Sequence, residues 1–142
     1  MRREMALSAI ALVVLLAASA SAQSYKGLEA KVVSVERATN VSLTDCPPGQ
    51  NIVRGVIKPG DTNEFASVKV DFKVTPAFKP TVLPKPVLQD EAGKTYNTAQ
   101  SFAEIGATQA FSCTFSFRVP KGTKLTRLTL DTLALDLRSI AQ

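Results

Sequence analysis

Two stretches of strict two-residue alternation constrain this chain more than anything else in it. In ASVKVDFKV, residues 66–74, Ala66, Val68, Val70, Phe72 and Val74 share one parity, while Ser67, Lys69, Asp71 and Lys73 share the other. FSCTFSFRV, residues 111–119, repeats the pattern with Phe111, Cys113, Phe115, Phe117 and Val119 on one side. Successive side chains of a strand point to opposite faces, so each stretch predicts a strand with one apolar face and one wet face. A helix would scatter both sets around its circumference.

The rest of the chain is punctuated as an all-β domain would be. LEAKVVSVERATNV (28–41) begins as a half-alternating strand and passes into a polar loop, and TDCPPGQ (44–50) is a turn cluster. NIVRGVIK (51–58) reads as a short strand ended by Pro59-Gly60-Asp61. PAFKPTVLPKP (76–86) is interrupted by proline, which fits an extended crossover or edge rather than a central strand. VLQD and TYNT flank a hairpin turn at Glu91-Ala92-Gly93. In LTRLTLDTLALDLRSI (125–140), Leu128 and Leu130 have one parity and Leu133, Leu135 and Leu137 the other, so a bulge or bend near Asp131-Thr132 is expected. About seven or eight short strands without an amphipathic helix predict two packed antiparallel sheets, an immunoglobulin-like β-sandwich.

The N-terminus reads as an export signal. Arg2 and Arg3 precede an apolar run from Met5 to Ala18, and Ala20-Ser21-Ala22 supplies a small-residue cleavage point before Gln23. The run is shorter than the roughly 20 residues of a membrane-spanning helix. The expectation is a cleavable signal peptide at 1–22, one domain at 23–142, no lipid anchor, no membrane span in the mature chain, and release into the periplasm or medium. The full chain carries 17 basic and 12 acidic residues, and removing Arg2, Arg3 and Glu4 leaves a formal charge of +4. For an exported protein such an excess points to an anionic envelope polymer or another protein as partner, not to nucleic acid. A membrane surface is a further anionic candidate, and plain solubility is the favoured reading.

Cys46 and Cys113 are the chain's two cysteines. In an exported protein they predict a disulfide, and the core parity of Cys113 would let a bridge staple two sheets together. Two inert thiols are the rival reading.

Three stretches together, IKPGDTNEFASVKVDF (57–72), LQDEAGKTY (88–96) and FSFRVPKGTKLTRLTLD (115–131), resemble the secreted bacterial immunoglobulin-like domains of unknown function related to a mycobacterial immunoprotective secreted antigen. That family is marked by a Pro-Gly turn leading into a long alternating strand, an Asp...Gly-Lys-x-Tyr hairpin, and a Phe-x-Val-Pro strand end. The chain departs from it in the proline-rich segment after Val74, where the family closes its strand with asparagine, and in its cysteine pair. The resemblance implies an exported, non-enzymatic sandwich.

The chain contains no histidine, which removes Ser/His/Asp and Cys/His catalysis and the imidazole ligands of copper and most zinc sites. No phosphate-cradling glycine run is present, and Asp131-Thr132 is followed by Leu133 where an aspartic protease motif needs glycine. Two acids can suffice for glycoside hydrolysis, and Asp90 and Glu91 are the nearest pair, though turn acids are commonplace. Asp61-Thr62-Asn63-Glu64 offers oxygen ligands to calcium, but turn capping is the favoured reading because the spaced acids of a calcium loop are missing. No catalytic residue, metal or cofactor is therefore expected. Asn40-Val41-Ser42 matches a glycosylation sequon, a chance match in a chain with a bacterial-type leader.

For binding, two proline-stiffened loops stand out: Pro47, Pro48 and Gly49 in the first, Lys79 and Lys85 in the second. Arg118, Lys121, Lys124 and Arg127 are candidates for a basic rim beside them, with strand-end solvation as the plainer alternative. The sequence thus predicts an exported binding or structural module of unknown ligand, or alternatively an inhibitor that presents residues 46–50 to a hydrolase.

Overall fold

A computed structural model describes residues 22–106 and 110–142. The expected signal peptide falls on residues that lie, apart from Ala22, outside those described. Among the described residues ten strands are present: β1 (Gln23–Tyr25), β2 (Leu28–Ala38), β3 (Asn40–Thr44), β4 (Ile52–Val56), β5 (Asn63–Val74), β6 (Val87–Asp90), β7 (Thr95–Asn97), β8 (Ala110–Pro120), β9 (Leu125–Leu130) and β10 (Leu133–Asp136). Eight of them build two four-stranded antiparallel sheets, ordered β1-β2-β5-β8 and β10-β9-β6-β7, and β3 and β4 form a separate ribbon. The protein is a β-sandwich.

Parity builds the core. On β5 the side chains of Val68, Val70 and Phe72 are buried while Lys69, Asp71 and Lys73 face water. On β8 Phe115, Phe117 and Val119 are buried, and from the second sheet Leu88, Leu125, Leu128, Leu130 and Leu135 meet them. The phenylalanines interlock at one end of this interior: Phe72 stacks on Phe111 at 5.1 Å between ring centres and meets Phe102 and Phe115 edge-on at 6.2 and 6.4 Å. Ser67 breaks the expected wet face. It is buried and shares a 2.8 Å hydrogen bond with the hydroxyl of Ser116 directly opposite, an arrangement that lets two small polar side chains satisfy one another.

Three expectations need correction. The segment 28–41 does not pass into a polar loop: β2 runs to Ala38 with Val33 as a bulge between Val32 and Ser34, and Asn40 and Val41 already belong to β3. One extra residue moves the buried set from Leu28, Ala30 and Val32 to Val35, which disguises the alternation. At Asp131-Thr132 the expected bulge or bend is a full reversal of the chain. These residues form a two-residue hairpin turn, pairing Leu130 with Leu133 and Leu128 with Leu135. Such a turn pairs even with odd positions, so both leucine sets reach one core. Asp131 takes the left-handed conformation, φ 52°, that such tight turns require.

The third correction concerns the cysteines. Cys46 and Cys113 are bonded, with Cα atoms 5.6 Å apart, but the bridge does not staple the two sheets. Cys46 lies between β3 and β4, so the bond ties that connection to β8 at the edge of the first sheet. Main-chain bonds from Cys46 to Ser101 and from Ala103 to Cys46, 3.0 and 2.7 Å long, bring the segment after β7 into the same knot.

Candidate functional site

The proline segment 76–86 leaves β5 in the first sheet and delivers the chain to β6 in the second, as an extended crossover does. It is braced at its start and at its middle. The main-chain N–H of Thr75 donates to the Gly27 carbonyl and that of Phe78 to Thr75, both at 3.0 Å; further on, Ile105 donates to Thr81 at 3.0 Å. Phe78 and Leu83 turn inward and are buried, which leaves Lys79, Pro80, Thr81, Val82 and Pro84 exposed.

The β1–β2 hairpin supplies the opposite wall. Its turn, Lys26-Gly27, has positive φ at both residues, 48° and 84°, the primed geometry that matches strand twist. A Cβ on Gly27 would lie 2.5 Å from the Phe78 nitrogen, so only glycine lets hairpin and crossover approach this closely. Between them runs a groove of about 700 Å³ bounded by Tyr25, Lys26, Phe78, Lys79, Pro80 and Asp131 among others. The Tyr25 hydroxyl donates to the Asp131 carboxylate, linking the edge of the first sheet to the β9–β10 turn of the second. The Lys26 ammonium stands 5.2 Å from the centre of the Tyr25 ring. Among the described residues neither Lys26 nor Lys79 has an ion-pair partner.

A groove of about 740 Å³ at the far end of the sandwich includes Arg37, Glu64, Glu91, Lys124 and Arg138. Its charges are largely spent internally. Arg37 approaches Glu64 at 3.3 Å and donates to the Thr123 carbonyl, Glu64 accepts from Gly122 N–H at 3.0 Å, and Arg138 pairs with Asp136 at 2.8 Å. The side-chain amide of Gln142 fills the wall by accepting from Leu125 N–H and donating to the Leu125 and Leu137 carbonyls.

The four cations expected as one rim are not gathered into one. Arg118 projects from the outer face of β8 and pairs with Asp61. Arg127 lies across from Asp136 on the second sheet, and Lys121 and Lys124 belong to the turn between the two strands. That turn follows Pro120, which pairs with Asn63 at the start of β5, whereas the proline crossover begins beyond Val74 at its other end. The basic residues and the second proline loop therefore sit at opposite ends of the first sheet. Lys79 lines the crossover groove; Lys85 is exposed on the same segment but outside it. Pro48 and Gly49 are exposed at the β3–β4 connection, and Pro47 is half-buried beside the disulfide.

Of the acid candidates, Asp90 and Asp61 are held by their own turns, while Glu91 is exposed. Asp90 accepts from Ala92 N–H at 3.0 Å, Lys94 N–H at 2.9 Å and the Tyr96 hydroxyl at 2.8 Å. Burial pushes its carboxyl up, but the bonds from Tyr96, Lys94 and Ala92 outweigh this and hold it below the usual carboxylate range. Asp61 accepts from the main chain and side chain of Asn63, both at 2.9 Å, and the Asn63 N–H chiefly holds its carboxyl low. These are turn caps. What sequence reasoning missed is Gln100, buried after β7, whose amide closes the outer edge of β8. A lone glutamine in a polar loop gives no pattern by which it could be found.

No family model matches the chain, and no curated protein does. A crystal structure of an uncharacterized beta-sandwich protein from Clostridium difficile 630 is similar to it, with a TM-score of 0.53, 9% identity, and coverage of 83% of this chain and 89% of that chain. That likeness shows the fold. Among the described residues no helix is long and apolar enough to cross a membrane.

Proposed function

We propose that this chain is an exported, non-enzymatic binding module that offers the groove between the β1–β2 hairpin and the proline crossover to an anionic envelope polymer. The observation that carries the reading is the two ammonium groups, Lys26 and Lys79, without an ion-pair partner among the described residues, on a groove whose proline wall is held at Thr75, Phe78 and Thr81. A proline-stiffened wall loses little freedom when a ligand docks, so a modest electrostatic attraction suffices for binding. Export rests on the leader sequence and on the disulfide, which persists outside the cytosol. Kinship with the secreted immunoglobulin-like domains belongs to the same proposal, supported by the Asp90–Tyr96 hairpin and the Pro59-Gly60 turn.

The test is titration of the protein with polyglycerol phosphate at two salt concentrations. Binding that weakens from about 0.05 to 0.15 M salt and is lost in the double variant Lys26→Glu, Lys79→Glu supports the reading. Equal binding by the double variant refutes it.

One feature favours the inhibitor reading as a second function: Pro48, Gly49 and Gln50 are exposed while Cys46 beside them is locked by its disulfide and two main-chain bonds. A projecting loop on a fixed base suits presentation to an active site. Unchanged rates across a panel of serine proteases and lysozyme-type hydrolases would eliminate it.

A further inference from the structure

Sheet edges are hazards because they expose a row of unpaired main-chain groups, and this molecule guards almost all of its own. β1 and β7 are three residues long. β2 carries its bulge at Val33, between Lys31 and Glu36, where β1 no longer covers it. β8 is closed at Thr114 and Ser116 by the side chains of Gln100 and Thr98. β10 is tied at its turn to β1 through Tyr25 and Asp131.

β4 is different. Among the described residues it pairs with β3 alone, in unbroken register from Ile52 opposite Thr44 to Val56 opposite Asn40. Ile52, Val53 and Val56 are 62%, 63% and 59% exposed, and no proline, acid or bulge interrupts the strand. The direction of its free groups follows from one bond: the Ile57 N–H donates to the Thr39 carbonyl at 2.8 Å. Main-chain groups alternate sides along a strand, so Ile57, Gly55 and Val53 face β3, and the N–H and C=O groups of Ile52, Arg54 and Val56 face outward. The ribbon is held from its other face, where Gly55 lies against the Phe65 ring so closely that a Cβ would come within 2.8 Å of it.

We infer that β4 receives an extended segment of a partner polypeptide as a third strand of the ribbon, with an acidic residue of that segment opposite Arg54 and apolar residues opposite Ile52 and Val56. Charge selects this occupant. The stretch from Cys46 to Gly60 contains Arg54 and Lys58 and no acid. Antiparallel self-pairing that engages Ile52, Arg54 and Val56 together would place two Arg54 residues directly opposite, about 5.5 Å apart at Cα, where like charges repel. An acid in that place turns the repulsion into attraction. The surface lies on the ribbon, not on the groove of the proposed function, and goes beyond that reading.

The test uses the disulfide-intact protein labelled with ¹⁵N and two blocked peptides, Val-Thr-Glu-Thr-Val and Val-Thr-Lys-Thr-Val. The expected result is slowed amide exchange at Ile52, Arg54 and Val56 with the glutamate peptide, and binding weaker by about tenfold with the lysine peptide. Arg54→Glu should reverse that preference. Val56→Pro removes an outward N–H without touching the ladder to β3 and should abolish binding. Should that variant misfold, the glutamate peptide N-methylated along one edge answers the same question, since methylation of the edge that meets β4 alone should abolish binding. No protection at the three amides, equal binding of both peptides, or protection produced by dimerisation of the protein alone would each overturn the proposal. Competition with polyglycerol phosphate separates the two sites: displacement of neither ligand by the other is expected, and a failed groove leaves the peptide result standing.

Discussion

Replacing Gln100 by glutamate should strongly destabilise this fold. Gln100 is buried, 3% exposed, with its Oε1 accepting from Ser116 N–H at 2.7 Å and its Nε2 donating to the Thr114 and Thr44 carbonyls, each at 2.7 Å. It stands in for the missing neighbour of β8 and ties that edge to β3. Glutamate keeps the acceptor but turns the donor into an oxygen facing two carbonyls. Each buried polar group left without a partner costs about 1 to 3 kcal/mol, so the two carbonyls together cost roughly 4 kcal/mol. A domain of about 120 residues, the length of 23–142, unfolds with an entropy near 0.25 kcal/mol/K, which converts this to a fall of about 16 °C in Tm.

Chemical denaturation of the oxidised protein at pH 7 reads the cost directly, and its pH dependence identifies the cause. The glutamate is buried against carbonyls, so its folded-state pKa lies above the unfolded value of about 4.3. Protonation restores one donor, so the gap between variant and wild type should narrow as pH falls from 7 to 5 and reopen as pH rises. Gln100→Met, similar in length but without polar atoms, should lose a comparable amount with no such pH dependence. A glutamate variant within about 0.5 kcal/mol of wild type, or a gap that ignores pH, would show that Gln100 does not close this edge.

Replacing both Cys46 and Cys113 by alanine should destabilise the protein by roughly 4 kcal/mol, from a sequence separation of 67 residues and loop-closure entropy, measured by guanidinium unfolding. Gly27→Ala should lower stability by more than about 2 kcal/mol, because φ is positive there and the new Cβ meets the Phe78 backbone; a silent substitution would disprove the close approach of hairpin and crossover. Acid should unfold the protein in a defined window. The carboxyls of Asp61, Asp90 and Asp136 are all depressed, that of Asp136 to about 2 chiefly by Arg138, so their contribution is present above the unfolded carboxylate value and is lost as pH falls below it. Tyr96→Phe removes a bond to Asp90 and should shallow the acid transition followed by circular dichroism.

The sandwich was legible because its two longest strands are half-buried and keep their period: β5 and β8 pair residue by residue from Asn63–Pro120 to Lys73–Ala110. Legibility failed where one residue changed the phase. Val33 hid the second half of β2, and Asp131-Thr132 joined two leucine sets through a turn, where a bulge would have served equally well on parity alone. The groove was half legible. Its proline wall and Lys79 could be read, but the hairpin that opposes them is short, and nothing local announces that Gly27 must lie against Phe78. Of the ribbon, β4 is legible as a short strand but β3 is not, because Asn40–Thr44 reads as polar loop, and the ribbon's detachment from both sheets depends on what the neighbouring strands leave uncovered.

The hairpin at Asp90 shows why a turn motif can recur without any ligand behind it. Asp90 begins the turn, Gly93 takes a positive φ of 83°, Lys94 returns the chain, and Tyr96 lies opposite Leu88 with its hydroxyl on the Asp90 carboxylate. Each named residue of the Asp...Gly-Lys-x-Tyr pattern is thereby spoken for by the backbone it folds, except that the lysine side chain only approaches the tyrosine ring, at 5.3 Å. A general acid needs a raised pKa and a base needs a free lone pair aimed at substrate, whereas this carboxyl is depressed and accepts three hydrogens from its own turn. Asp90→Asn should accordingly loosen the hairpin, lowering Tm by several degrees and exposing Tyr96 to quenchers, while binding at the distant crossover groove stays at its wild-type strength. Loss of that binding with Tm unchanged would instead place Asp90 at a ligand.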